Sequence, residues 1–347
     1  SAGAFQDPPT ATPEPTPEPV PLAERLVFGA PYIHRSGVVQ TARPLGDEWQ
    51  VSEYLSNGYS GQIPTVFMIN NLDLVVVHHY LRSGIAFETL DTLSTEFLTT
   101  AYFAAEWQEY DTWAETARTV TGEAVITDFA LAVNDLDFLA RDVSSVVESW
   151  LVVTRVVVPA DSPELLDLLM DEVLARLVVY PQMLALPLGW PIHADQDLGV
   201  MLEMPPAMTL GLDVPGQYAM YWLMTGDEAG DHPYVELHAL ESEVADVRDW
   251  IAVMYPDAAI IDAAASDAAA IDGNDLVVYT YVDQTGVERC VLGVLVSGAD
   301  GPLAVVTATA MAAEVPNWLD ESTLPPLYSD VKLVITQGIQ VLVPAAE

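Results

Sequence analysis

The chain has 347 residues, 51% of them hydrophobic, which is enough for two domain cores and too apolar for general disorder. Fifty-one acids face eleven bases, a formal net charge of −40, and Lys332 is the single lysine. Such a surface repels phosphate backbones and anionic headgroups, which excludes nucleic acid as a partner, and no apolar run nears the ~20 residues of a transmembrane segment.

The acid excess is shared: residues 1–182 carry 26 acids and 8 bases, residues 183–347 carry 25 and 3. It reads first as a solubilising surface, with saline or cation-rich surroundings as the alternative. The chain opens Ser1-Ala2-Gly3-Ala4 without an initiator methionine. That is how a secreted chain begins once its leader is removed. Residues 8–21 hold seven prolines in fourteen positions. The expectation for residues 1–25 is an extended polyproline-II spacer, ~40 Å long over its proline-rich part, with threonines open to O-glycosylation. A secreted or cell-surface location follows.

Residues 26–182 make the first predicted domain. Gly37–Gln40 and Trp49–Val51 are expected to pair as a hairpin across Pro44-Leu45-Gly46-Asp47. Val66–Ile69 and Leu72–His79 follow as strands. Phe87, Leu90, Leu93, Phe97 and Ala101 predict a helix, and Trp107, Tyr110 and Trp113 an aromatic cluster after it. The signals are strongest from Asp128 to Pro181. Phe129, Leu131 and Val133 alternate with smaller or polar residues, a second run spans Phe138–Val143, and Trp150–Val158 is nearly continuous in β-branched residues. The last pattern suits a central strand covered on both faces. Ser162-Pro163-Glu164 then supplies an N-cap, a proline at N1 and a first-turn acid. Leu165, Leu166, Leu169, Val173 and Leu177 mark the buried face, and Glu172 can pair with Arg176 at i,i+4.

Residues 183–347 make the second predicted domain and repeat that layout. Leu198–Met204, Tyr218–Met224 and Val235–Leu240 read as strands. Ser242 is placed as the cap of a helix carrying Val244, Val247, Ile251 and Met254. Leu276–Val282, Cys290–Val296 and Leu303–Ala310 form a meander, and a short helix near Asn317–Leu327 leads to Val331–Ile335. Trp150–Val158 and Leu303–Ala310 hold the same place in the two halves. The fold class is therefore α+β: two tandem domains, each a mainly antiparallel sheet packed with one or two helices, preceded by an extended Pro-rich tail.

Chemistry is sparse. In His193-Ala194-Asp195-Gln196-Asp197 an extended backbone places an imidazole and two carboxylates on one face, a set suited to a hard cation such as Ca²⁺, against the plain reading of a solvated acidic loop. Asp272-Gly273-Asn274-Asp275 reads as a turn, because the twelve-residue calcium-loop spacing is missing. Gly58-Tyr59-Ser60-Gly61 departs from the G-x-S-x-G elbow, and the chain has no phosphate-binding glycine motif and no C-x-x-C. His78 and His79 face opposite sides of a strand and cannot easily share a metal. Cys290 lies in an apolar run as a small core residue, and Arg141 and Arg155 are expected in local ion pairs, with an anion site as the alternative. No catalytic set and no organic cofactor is expected.

With its early Trp after a hairpin, central helix, long meander and closing helix, each half resembles the extrinsic oxygen-evolving-complex protein PsbP and its lipoprotein relatives. A Thr/Pro/Glu-rich stalk ahead of such domains also resembles secreted surface proteins of filamentous, Chloroflexi-type bacteria. The resemblance implies accessory or scaffolding roles outside the cytoplasm and transfers no catalytic residue. The expected function is that of a secreted or cell-surface structural protein partnering copies of itself in a filament, sheath or surface layer. The alternative is an extracytoplasmic accessory protein docked on another surface protein, a membrane complex or a transporter.

Overall fold

The computed structural model describes residues 20–58, 61–84, 87, 89–223, 233–240, 244–261 and 275–344. A one-turn helix α1 (Leu22–Arg25) leads into β1 (Phe28–Ile33) and β2 (Val39–Pro44). Next come β3 (Trp49–Gly58), β4 (Gly61–Asn70) and β5 (Val75–Arg82), then α2 (Leu90–Thr92) and α3 (Thr100–Glu106). The meander follows as β6 (Thr112–Val120), β7 (Val125–Val133), β8 (Leu136–Val147) and β9 (Trp150–Pro159). Helix α4 (Pro163–Ala175) and the short β10 (Val178–Val179) end the first half.

The second half has β11 (Ile192–Asp195), β12 (Val200–Glu203), β13 (Met208–Val214), β14 (Tyr218–Leu223) and β15 (Tyr234–Ala239). Helix α5 (Val247–Met254) is followed by β16 (Ala259–Ile260), β17 (Leu276–Val282), β18 (Glu288–Gly298) and β19 (Gly301–Met311). Helix α6 (Pro326–Gln337) and β20 (Ile339–Val341) complete the described chain.

Two seven-stranded antiparallel sheets form, ordered β3-β4-β5-β9-β8-β7-β6 and β13-β14-β15-β19-β18-β17-β16. Adding ten to every number in the first order gives the second. The three-stranded sheets β1-β2-β10 and β11-β12-β20 obey the same rule. The tandem α+β architecture read from the sequence is what the chain adopts, with β9 and β19 central in their sheets.

Each large sheet is covered on both faces. In the first, Val66, Met68, Val77 and Val156 pack with Leu165, Leu169 and Val173 of α4. The opposite face packs Tyr80, Val153 and Val157 with Leu93, Phe103 and Trp107. In the second, Val331, Val334 and Ile335 of α6 cover Leu292, Val306 and Ala308, while Val247, Trp250 and Ile251 of α5 cover Tyr279, Val291 and Val305. Two-sided cover is why β9, β18 and β19 read as largely apolar runs, broken in β9 by Thr154-Arg155 and in β19 by Thr307 and Thr309. The halves also interlock. Met201 and Leu342 are buried among the first-half side chains, and Gln40 Nε2 donates to the Val343 carbonyl at 2.8 Å.

Several local expectations are corrected. β2 and β3 do not pair with each other; β2 joins β1 and β10, and β3 joins β4. The Pro44–Asp47 turn hands the chain from the small sheet to the large one. The helix expected across Phe87–Ala101 is broken: α2 passes into a π-helical turn, Leu93–Phe97, and Leu98 leaves helical geometry before Thr99 caps α3. α4 starts at Pro163 as its sequence dictates, but the Ser162 hydroxyl donates to Asp161 rather than capping. Ser242 lies outside the described residues; α5 begins at Val247, capped by Asp246, so Val244 precedes it. The last helix is α6 at Pro326–Gln337, set by Pro325-Pro326, so Val331–Ile335 is helix rather than strand.

Candidate functional site

β11 is extended, so His193 and Asp195 do share a face, both buried, at 9% and 5% exposure. Asp197 lies beyond the strand end. The Asp195 carboxylate accepts from the backbone N–H of Leu198 at 2.9 Å and of Gly216 at 2.7 Å, tying together the turns after β11 and β13. A small cavity of about 170 Å³ is bounded by His193, Asp195, Asp197 and Asp213. Among the described residues no group of three His, Cys, Asp or Glu side chains is arranged to hold a metal ion.

The other singled-out residues settle into structural surroundings. His79 is buried between the hydroxyls of Thr41 and Thr154, each 3.0 Å away, while His78 faces Phe67 and Tyr80 on the other side. Burial holds His78 down at about 3 and His79 at about 4. Cys290 is fully buried and burial pushes its thiol up to about 12, as for a core residue rather than a nucleophile. Arg141 pairs with Asp128 at 2.6 Å and Asp167 at 2.7 Å. Gly58-Tyr59-Ser60-Gly61 and Asp272-Gly273-Asn274-Asp275 each fall partly outside the described residues.

The helix-covered faces of the two large sheets carry the most polar chemistry. In the first, Arg155 on β9 is buried beneath Trp107, its guanidinium carbon 4.0 Å from the ring centroid. Nε and Nη2 donate to the two oxygens of Asp142 at 2.8 and 2.7 Å, and Glu106 lies 3.3 Å from Nη2. Tyr80 donates to Glu106 at 3.0 Å, and its hydroxyl is 2.5 Å from that of Tyr102. A cation enclosed by two carboxylates and aromatic rings compensates its own desolvation through charge-assisted hydrogen bonds and cation–π contact.

On the second sheet, Glu236 of β15 occupies the corresponding face. Its Oε1 accepts from the Tyr218 hydroxyl at 2.5 Å, and His238 Nε2 is 3.9 Å from Oε2. The His238 ring packs on Tyr218 and Trp250, with centroids 5.0 and 5.1 Å apart. Tyr255, just past α5, stacks on Tyr281 at 4.4 Å, and the hydroxyls of Tyr234 and Tyr281 are 3.5 Å apart. The phenols of Tyr218, Tyr234, Tyr255 and Tyr281 are raised, first by burial and then in part by the Glu236 charge. The result is a carboxylate walled by half-buried tyrosines. Sequence reasoning missed it because its residues come from β14, β15, β17 and the end of α5, with no shared motif.

No protein-family model matches the chain, and no curated protein matches it. Among solved structures it is similar to the Ran-binding protein Mog1p of Saccharomyces cerevisiae, at 10% identity over 44% of this chain and 96% of that one, TM-score 0.32. It is similar to the cyanobacterial PsbP of Synechocystis at 14% identity over 43% of this chain and 91% of that one, TM-score 0.31. A third is LpqN of Mycobacterium tuberculosis, involved in cell envelope biogenesis, at 11% identity over 45% of this chain and 92% of that one, TM-score 0.25. A PsbP protein, the family the sequence resembles, is among these neighbours.

Proposed function

We propose that the chain is a non-catalytic extracytoplasmic structural protein that assembles with copies of itself by strand addition at β13. The observation that supports this reading is the character of that edge. Among the described residues β13 pairs with β14 alone, and Leu210, Leu212 and Val214 are 41%, 50% and 36% exposed. Asp213 is the only charge along it. Natural edges are ordinarily shortened, charged, bulged or covered; β13 keeps seven residues and a single charge, with one bulge between Leu210 and Leu212. The opposite edge, β16, is shortened to two residues, and β6 carries the Glu115–Arg118 ion pair. β3, the counterpart of β13 in the first sheet, is also terminal in its sheet, ten residues long with Tyr54 52% exposed, although His34 Nε2 donates to the Tyr54 carbonyl at 2.9 Å and the Arg35 N–H donates to Glu53 at 3.0 Å. Pairing β13 of one copy with β3 of the next joins unlike surfaces, and such contacts extend into a filament or layer unless the rotation closes a ring. Mass photometry and electron microscopy of the chain and of Leu212→Lys test the reading.

A second reading, an accessory protein docked on a membrane complex or transporter, draws on the cleft between the halves. That cleft is about 700 Å³ in volume, and Ile33, Leu198, Leu303 and Leu342 line it. Co-purification with a membrane complex would favour it. No helix among the described residues is long and apolar enough to cross a membrane.

A further inference from the structure

The two large sheets have one topology, so their positions can be compared pair by pair. Counting from the β8–β9 turn, the pairs run Val147–Trp150, Val146–Leu151, Ser145–Val152, Ser144–Val153, Val143–Thr154 and Asp142–Arg155. From the β18–β19 turn they run Gly298–Gly301, Ser297–Pro302, Val296–Ala304, Leu295–Val305, Val294–Val306 and Gly293–Thr307. The sixth pair is Asp142–Arg155 in one sheet and Gly293–Thr307 in the other. The third strand of the row contributes His78 in the first sheet and Glu236 in the second. Where the first domain holds a guanidinium, the second has a threonine hydroxyl. Where the first has a neutral-leaning imidazole beside that guanidinium, the second has a carboxylate.

The second domain thus has aromatic rings and a carboxylate on this face without the cation, the carboxylate coming from Glu236 in the place of His78 while Gly293 takes that of Asp142. Its three bases are engaged elsewhere: Arg289 donates to Asp283 at 2.9 Å, Lys332 to Glu321 at 3.0 Å, and Arg248 lies at 3.4 Å from Asp246 and 3.6 Å from Asp275. Among the described residues Glu236 Oε2 accepts no hydrogen bond, and His238 Nε2 is buried without one. The side chain of Glu236 is 14% exposed, so its carboxylate is partly desolvated. Aromatic faces and a carboxylate attract the same charge sign, and partial desolvation strengthens both attractions. A net charge of −40 adds a long-range field of that sign.

We propose that the Glu236 face of the second domain is a binding site for an organic cation, an alkyl guanidinium of the kind an arginine side chain carries. Its planar fork would donate to Glu236 Oε2 while its face lies against the stacked Tyr255–Tyr281 wall, the role that Asp142 and Trp107 perform for Arg155. This site is separate from the β13 edge, and its failure leaves the assembly reading untouched.

The test is calorimetric titration of the full chain with N-acetyl-L-argininamide at low ionic strength, with N-acetyl-L-norleucinamide as the uncharged counterpart. Saturable binding of the arginine compound alone is expected. Glu236→Gln should weaken it about tenfold or more. Tyr255→Leu, which keeps the carboxylate and removes the stacked ring, should weaken it about threefold to tenfold. Thermal melts of both variants establish that they fold. Absence of saturable binding to the unaltered chain, equal binding of the norleucine compound, or undiminished binding by folded Glu236→Gln would each overturn the proposal.

Discussion

Asp142 and Arg155 face each other across β8 and β9, and the guanidinium donates to both carboxylate oxygens at 2.8 and 2.7 Å. Both side chains are buried. Removing Arg155 strands the buried Asp142 charge, and removing Asp142 leaves the buried guanidinium with Glu106 alone, 3.3 Å away. Asp142→Ala should cost about 3–5 kcal/mol in urea unfolding, whereas replacing both by apolar residues of similar volume should cost far less. Equal losses in the single and double variants would contradict the pairing account.

The halves should respond oppositely to pH. Glu203 on β12 is 1% exposed, neither carboxylate oxygen has a hydrogen-bond donor among the described residues, and burial pushes it from 4.5 up to about 8. A carboxyl raised on folding contributes stability below its unfolded pKa that is lost as pH climbs through the folded one, here from about 4.5 to about 8. His79, lowered from 6.5 to about 4, does the reverse: its contribution is present above 6.5 and lost as pH falls toward 4. Glu203→Met should gain about 2–4 kcal/mol at the alkaline end of the Glu203 window and flatten the slope across it, read from urea curves at stepped pH. An unchanged slope would refute the assignment.

Asp195 acts as a tie between two turns through the Leu198 and Gly216 amides. Asp195→Asn should therefore lower stability by about 1–3 kcal/mol, equally with and without Ca²⁺. A loss confined to Ca²⁺-containing buffer would instead favour the cation set of His193, Asp195 and Asp197.

Gly37 sits where the halves meet, at φ +72°, and a Cβ there would come within 2.9 Å of Met183 and 3.2 Å of Met201. Gly37→Ala combines left-handed backbone strain with a clash at the seam. A loss of about 2–3 kcal/mol in thermal or urea unfolding is expected, against a near-neutral change if the seam is loose.

What the sequence made legible follows burial. The meander from Phe129 to Pro159 and the start of α4 at Pro163 were readable because alternation, β-branching and an N1 proline each act locally. β6 was not, since its mostly exposed residues carry no apolar alternation. β13 was likewise hidden, with Met208 its one buried residue. The Pro44–Asp47 turn was seen correctly and its strands mispaired, because a turn signal does not say which sheet the chain enters next. Glu236 was invisible for a similar reason: strand pairing, not spacing in sequence, brings it beside Tyr218 of β14 and Thr307 of β19.

The central claim, assembly through β13, is tested most directly by mass photometry and negative-stain microscopy across a concentration series, with Leu212→Lys in parallel. The account predicts that the unaltered chain forms regular oligomers or filaments as concentration rises. Leu212→Lys, folded by circular dichroism, should stay monomeric. A chain that is monomeric at every concentration, or assemblies that persist unchanged in Leu212→Lys, would contradict it.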